Sequence, residues 1–339
     1  AEDIYFSFEQ YQKADCPFQS AFNTVKNIKV NQVNDRFIIQ LVLDKYSAKF
    51  LSSDLPVFKL LPKQEILQQP QKFSQNPVGS GSYTFVKADA NVIELSAKNP
   101  KALVLPKTTN IMFKIIRDDF TRYQKMLNGE VDIAQSEISP EKVKNFENKK
   151  EKFQVFKYPG LSFTYLLLNL EDPIIKEFQA RSAIAHAINR KEIIDYKLEG
   201  LALPATSILT PANPFFNSQL RPIPFALQKA KEIINSLRQK ELHLTLKTSN
   251  DASAVDVGRV IVNQLKSAGI DVDLQSFEWG TFYGDITKGN FQMATMRWIG
   301  AIDPDIYRVA LHSKEAPPGR NRGHYKNKLL DQLLEKGLT

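Results

Sequence analysis

The chain has 339 residues, 42% of them hydrophobic and 24% charged. That composition excludes collagen-like, mucin-like and strongly disordered classes, and the length predicts two or three lobes rather than one. Forty-five basic against thirty-seven acidic residues leave a net charge of +8, interspersed in sign even in the densest run, Glu147 to Lys152. No basic stripe interleaves with aromatics, so a groove for single-stranded nucleic acid is excluded and no nucleic-acid partner is expected. Cys16 is the single cysteine, which removes internal disulfides and zinc sites built on several thiolates. No run approaches the roughly 20 apolar residues that cross a bilayer. The opening AEDIYFSFEQ has neither the basic leader nor the apolar region of a signal peptide.

In chain order, Glu2 and Asp3 favour the positive end of a helix continued by Ile4, Phe8 and Tyr11 and stopped before Pro17. Ile28 to Val33 and Phe37 to Leu43 predict a hairpin turning at Asn34 and Asp35. Pro56, Pro62, Pro70 and Pro77 then confine the chain to short pieces. Pro77 to Tyr83 reads as a glycine-marked turn into the strand Tyr83 to Val86, followed by Val92 to Leu95. It lacks the GKS or GKT of a phosphate loop. Ile111 to Ile116 predicts a strand, Asp119 to Asn128 a helix closed by Gly129, and Val131 to Ile133 a short strand. Ser139 and Pro140 start another helix, and Phe163 to Leu168 reads as a buried strand.

From Glu177 to Leu198 the spacing predicts helix in two pieces around Asn189. Next come a helix from Ala226 to Leu237, a strand from Glu241 to Thr248, a helix from Val255 to Ala268, and a strand from Ile270 to Phe277. A short helix over Phe282 to Thr287 and a strand over Phe291 to Trp298 complete the series. Alternation at these intervals predicts an α/β lobe of largely parallel strands. Its ligand crevice is expected beyond the C-terminal strand ends, which places the candidate ligand contacts at Trp298 and in the loop after it.

The histidines 186, 243, 312 and 324 form no HExxH or close pair. His186 reads as a packed helix residue. His312 and His324 flank a proline-glycine loop, where a metal is the alternative to separate structural roles. No GxSxG elbow exists, Cys16 has no evident histidine partner, and Glu130 with Asp132 reads as solvated turn surface, so no enzyme is expected. Asp303 and Asp305 either cap the helix begun by Ile306 or present an acidic anchor to a cationic ligand group. Asn321 and Arg322 are candidate polar partners. Trp298, which comes after Arg297 at a strand end, reads as a ligand wall or as core. The candidate ligand-binding set is Arg297, Trp298, Asp303, Asn321 and Arg322; no cofactor or protein-held metal is expected.

Six blocks in order resemble the solute-binding proteins of ABC importers, oligopeptide/dipeptide/nickel-binding family (family 5). Ala1 to Ser7 resembles the family's AEDVxFS segment, Asn76 to Tyr83 its PVGTGPY turn with Ser82 where proline is usual, and Leu127 to Ile133 its LxGEVD element. Arg181 to Arg190 resembles VRQALAYAIDR, Trp298 to Asp305 the WxG…DPD block, and Asn321 to Tyr325 the NRxGY block. The resemblance implies an α/β, two-lobed periplasmic-binding-protein-like fold with a hinge. Residues 1–105 would be an extra subdomain of the first lobe, 106–170 part of its sheet and the hinge approach, and 171–339 the second lobe. It implies a monomer, periplasmic or otherwise extracytoplasmic and either soluble or lipid-anchored in full length, that closes an interlobe cleft on a small peptide and delivers it to a membrane permease.

The chain departs from the family pattern in two ways. Family members carry a segment before the AED helix and another after the NRxGY block, so this chain is expected to lack both terminal segments. In peptide-binding members an aspartate shortly after WxG pairs with the peptide's α-amino group. Ala301 stands there, and the nearest acid is Asp303. The NPxYW block is also absent, Asn99 and Pro100 being followed by Lys101, Ala102 and Leu103. Binding of a peptide or peptide-like solute is the leading expectation. A nickel chelate, a repurposed sensor or envelope interaction module, and an uncharacterised hydrolase are the alternatives.

Overall fold

The computed structural model describes residues 1–16, 18–34, 36–97, 104, 106–136, 138–237 and 242–338. Pro17, Asp35 of the expected hairpin turn, Glu241 of the expected strand and the Asn99 to Leu103 departure lie outside them. The chain divides into two units, Ala1–Ile138 and Ser139–Thr339.

In the first unit, α1 (Glu2–Tyr11) and α2 (Gln19–Phe22) pack on the antiparallel hairpin of β1 (Val25–Val33) and β2 (Arg36–Leu43). Ile4, Phe8, Phe22, Val25 and Phe50 are the buried centre, and Phe8 stacks on Phe58 with ring centroids 4.2 Å apart. In the next stretch the prolines leave a single 3₁₀ turn at Leu55–Val57 and two short helices, α3 (Lys63–Gln68) and α4 (Pro70–Gln75). A three-stranded antiparallel sheet comes next, β3 (Thr84–Ala88), β4 (Val92–Ser96) and β5 (Asn110–Lys114), in the order β3-β4-β5. Helix α5 (Asp119–Asn128) starts at Asp118, whose carboxylate accepts the Thr121 N–H, and ends on Gly129 at φ 76°. Val131 to Ile133 forms no strand. Among the described residues it has no strand to pair with, and Ile133 is 83% exposed, so the apolar spacing there has no ladder to stabilise it.

The second unit opens with α6 (Pro140–Glu147) and is built on four strands: β6 (Phe163–Leu168), β7 (Leu242–Ser249), β8 (Ile270–Phe277) and β9 (Met293–Trp298). Their order is β6-β9-β7-β8. β7 is parallel to β8 and to β9, and β6 is antiparallel to β9. The run Phe163 to Leu168 is therefore a half-buried edge strand, not a fully covered one. Helices α7 (Phe178–Ala187) and α8 (Arg190–Tyr196) break at Asn189, whose side chain caps α8 through the Glu192 N–H. Together with α9 (Leu227–Ser236) and α10 (Ala252–Ser267), α7 covers one sheet face around Leu244, Leu246, Leu265, Ile270 and Met293. Helix α11 (Trp279–Lys288) contributes Phe282 and Ile286 to a second cluster with Phe291, Ala294 and Met296.

Helices α10 and α11 each begin three residues before the apolar pattern does. Asp251 accepts the Ala254 N–H and Glu278 the Gly280 N–H, so the caps set the starts. His186 is packed as expected, its Nδ1 lying 2.9 Å from the Pro224 carbonyl. His312 lies beside Asp331 and Glu335, whereas His324 lies beside Glu171. The described residues contain no group of three or more His, Cys, Asp or Glu able to hold a metal ion, and none of their helices is long and apolar enough to cross a membrane.

Lys247 of β7 ties the sheet to α11. Its Nζ donates to Asp285 and to the Asn290 carbonyl, both at 2.7 Å, and it sits 5.3 Å from the Phe277 ring centre. The Lys247 ammonium holds the Asp285 carboxyl below the ordinary carboxylate range. A carboxylate depressed in the folded state stabilises fully above its unfolded pKa, and the gain is lost as pH falls through the folded value. Lys247→Met should therefore flatten the acid limb of the stability profile as pH falls through and below the ordinary aspartate range, near about pH 4. Denaturant midpoints measured across that range check it, and parallel wild-type and variant curves would disprove the coupling.

Candidate functional site

Parallel strands ending side by side leave a crevice at their C-terminal edge, deepest where the strand order reverses. In the second unit the reversal lies at β7, which sends one connection to β8 on one side and receives β9 on the other. The edge carries Ser249, Phe277 and Trp298, and the antiparallel β6 brings Phe163 opposite Trp298. The N-termini of α10 and α11 open at the same edge, each already occupied by its own capping carboxylate. An extra anion there would meet Asp251 or Glu278 before the helix end.

The segment after β9 is fixed by backbone contacts. Gly300 adopts φ 68°, a left-handed turn that glycine reaches without strain. The Ala301 N–H donates to the Leu161 carbonyl at 3.3 Å. Ala301 is 5% exposed, and its carbonyl accepts from Asn213 Nδ2 at 3.0 Å, as does that of Ile302 at 2.7 Å. Asp303 Oδ1 accepts the Asp305 N–H at 2.8 Å, and the Asp303 carbonyl accepts that of Ile306. Asp303 thus shapes the entry to α12 (Ile306–Leu311), while Asp305 binds Arg308 through two oxygens at 2.6 and 2.9 Å. These contacts, with a further one to Glu315, raise the Arg308 pKa above the ordinary arginine value.

The five candidate residues fall in different settings. Arg297 is exposed on β9, opposite Thr164. Trp298 is half-buried, 5.8 Å from the Arg322 guanidinium. Asn321 is 1% exposed; its Nδ2 donates to the His312 and Tyr325 carbonyls and its Oδ1 accepts the Tyr325 N–H. Its amide therefore organises the segment that leads to α13 (Lys328–Lys336). Arg322 is buried against Tyr283, donating to its hydroxyl at 2.7 Å. Tyr165 stands in the same cluster, its hydroxyl pKa pushed up by burial and pulled partly back by Arg322. Sequence reasoning passed over Tyr165, Tyr283 and Asn213. The usable signals were Phe163 and Tyr165 on one strand face, stacked 5.3 Å apart, and Trp279 and Tyr283 one helical turn apart, stacked at 5.6 Å.

The family model for bacterial extracellular solute-binding proteins, family 5 (middle region), matches residues 1–317. A probable di/tripeptide-binding protein 5 of Pseudomonas aeruginosa is 24% identical over 360 aligned residues, covering 99% of this chain and 68% of that protein. Two solved structures have the same fold. The oligopeptide-binding protein AppA of Bacillus subtilis, in complex with a nonapeptide, matches with a TM-score of 0.82 at 21% identity, covering 100% of this chain and 71% of its own. NikZ of Campylobacter jejuni, in complex with Ni(L-His), matches with a TM-score of 0.82 at 23% identity, covering 99% and 70%. The expected two-lobed α/β binding-protein fold is thereby established.

Proposed function

This chain belongs to the family 5 extracellular solute-binding proteins of bacteria, and from that premise we propose that it binds a peptide or peptide-like solute for delivery to an ABC import permease. The observation that carries the reading is the Trp298 to Asp303 segment. An aromatic wall and a carboxylate end and follow β9, the strand beside β7 where the sheet order reverses, on a loop held by Asn213 and Leu161. The di/tripeptide name of the Pseudomonas relative and the nonapeptide held by AppA support a peptide class. In this reading Asp303 meets the solute's amino group, Trp298 flanks it, and the exposed Arg297 borders the entrance. Asn321 supports the segment from behind. The protein acts as a monomer outside the cytoplasmic membrane and catalyses no reaction.

The likeness to NikZ favours a metal chelate as the second reading. Such a solute would arrive with its own ligands, since the described residues place no cluster of His, Cys, Asp or Glu for a bare ion.

Titration calorimetry with peptides of two to nine residues, free or acetylated at the amine, tests the assignment. Free-amine peptides are expected to bind, and Asp303→Ala to weaken them about tenfold, the scale of one lost charge-assisted hydrogen bond. Acetylated forms should be indifferent to the substitution. Equal loss for both would remove Asp303 as the anchor. Absence of heat and of any melting shift across the panel would overturn peptide binding, and a Ni(L-His) response in its place would select the chelate.

A further inference from the structure

Arg322 is 8% exposed, yet among the described residues no carboxylate pairs with it. Its neighbours are aromatic. The guanidinium carbon lies 5.0 Å from the centre of the Tyr283 ring and 5.8 Å from that of Trp298. Ring faces offset a buried cation only in part, and such a charge normally acquires an anion.

The hydrogen-bonding inventory points the same way. A guanidinium only donates. Arg322 donates through Nη2 to the Tyr283 hydroxyl at 2.7 Å, its charge acts on the neighbouring Tyr165 hydroxyl, and its Nε–H is buried with no acceptor. The Tyr283 oxygen is met by that donor and keeps its own proton to give. Burial holds the Tyr165 hydroxyl in its protonated form. The free guanidinium N–H and the two phenolic O–H groups thus converge around one cation, and no carboxylate among the described residues pairs with it. Three elements supply them, β6, α11 and the segment before α13, and the end of β9 adds the Trp298 ring.

We propose that Tyr165, Tyr283, Trp298 and Arg322 form a carboxylate-binding subsite between α11 and the β6–β9 side of the second unit's sheet, taking the α-carboxylate or an acidic side chain of the bound solute. This rests on the solute-binding reading above and deepens it. A carboxylate, planar and singly charged, suits one guanidinium flanked by two phenols, and the aromatic walls suit an apolar chain beside it. A phosphate would require further cationic donors.

The test compares matched acid and amide probes on the wild type, Tyr283→Phe and Arg322→Gln. The probes are N-acetylglycine against N-acetylglycinamide, peptides with free against amidated C-termini, and Glu-containing peptides against their Gln counterparts. Binding is read by melting shift and by tryptophan fluorescence. The wild type should prefer acid to amide at least tenfold. Tyr283→Phe, which preserves the ring, should cut that preference several-fold, and Arg322→Gln should abolish it. Loss of preference on C-terminal amidation identifies the α-carboxylate, and loss on Glu-to-Gln exchange the side chain. Peptides that bind with equal affinity as acid and amide would overturn the subsite while leaving peptide binding intact. Failure of every peptide alongside a retained preference for N-acetylglycine would overturn the peptide reading and keep the subsite. Silence toward all probes would overturn both. Tyr283→Phe keeps the comparison decisive if Arg322→Gln does not fold.

Discussion

Gly323→Ala is expected to cost about 2–3 kcal/mol of stability, the upper part of the range for forcing extra volume into a packed site, and to weaken solute binding as well. A Cβ at Gly323 would stand 2.8 Å from the Leu168 carbonyl oxygen, a backbone atom at the end of β6. That oxygen cannot rotate aside. The Leu170 N–H donates to the Gly323 carbonyl at 3.0 Å, so the two segments cannot separate without losing this bond. Arg322 and His324 flank the clash, and both would be displaced. For a unit of this size, 2–3 kcal/mol corresponds to a fall in melting temperature of roughly 5–10 °C. Gly284→Ala is the control. It adds a methyl where nothing lies within 4 Å, inside α11, and should be neutral or raise stability by up to about 1 kcal/mol through helix propensity. Calorimetric melting of the three proteins checks this, and an unchanged Gly323→Ala midpoint would show that the segment yields at no cost.

The elements of the second unit were legible because their signals are local. Asn189 interrupts an apolar helix with a side chain suited to an N-cap, and the helix breaks there. Gly289 ends α11 at φ 76°. The apolar period alone places the starts of α10 and α11 three residues late, because Asp251 and Glu278, the polar residues that cap them, lie outside that period. Val131 to Ile133 misled for a different reason: a strand is a property of a pair, and no local spacing reveals whether a partner exists. The site divides along the same line. Trp298 and Asp303 stand out in the sequence at a strand end and an acidic, proline-stiffened turn, and Arg322 in the NRGHY stretch. Tyr165 and Tyr283 lie 157 and 39 positions from Arg322, and only the fold brings them to one guanidinium. Asn321 read as a polar ligand partner because a sequence shows amide groups and not the backbone carbonyls that occupy them.

Asn213→Ala is the change expected to affect the site most from outside it. Asn213 is 4% exposed. Its Nδ2 joins the Ala301 and Ile302 carbonyls, and its Oδ1 accepts the Phe215 N–H at 2.9 Å, so one amide ties two loops. Truncation leaves two carbonyls and one N–H without this partner, and a buried group left unpaired costs about 1–3 kcal/mol. About 2 kcal/mol is the expected loss, since water will reach part of the opened site. The functional loss should be larger than that of a mere packing change. The amide fixes the two residues immediately before Asp303, and a carboxylate that wanders must be ordered again each time solute binds. Hydrogen exchange separates local from global effects. In the wild type the Ala301 amide is held by the Leu161 carbonyl; in Asn213→Ala it should exchange at least tenfold faster, while amides of the central strand β7 keep their protection apart from the global shift. Uniform acceleration would mean that Asn213 serves the fold alone. Faster exchange confined to the loop, with weaker binding of free-amine peptides and little change in β7, would mean that the loop's order is itself part of recognition.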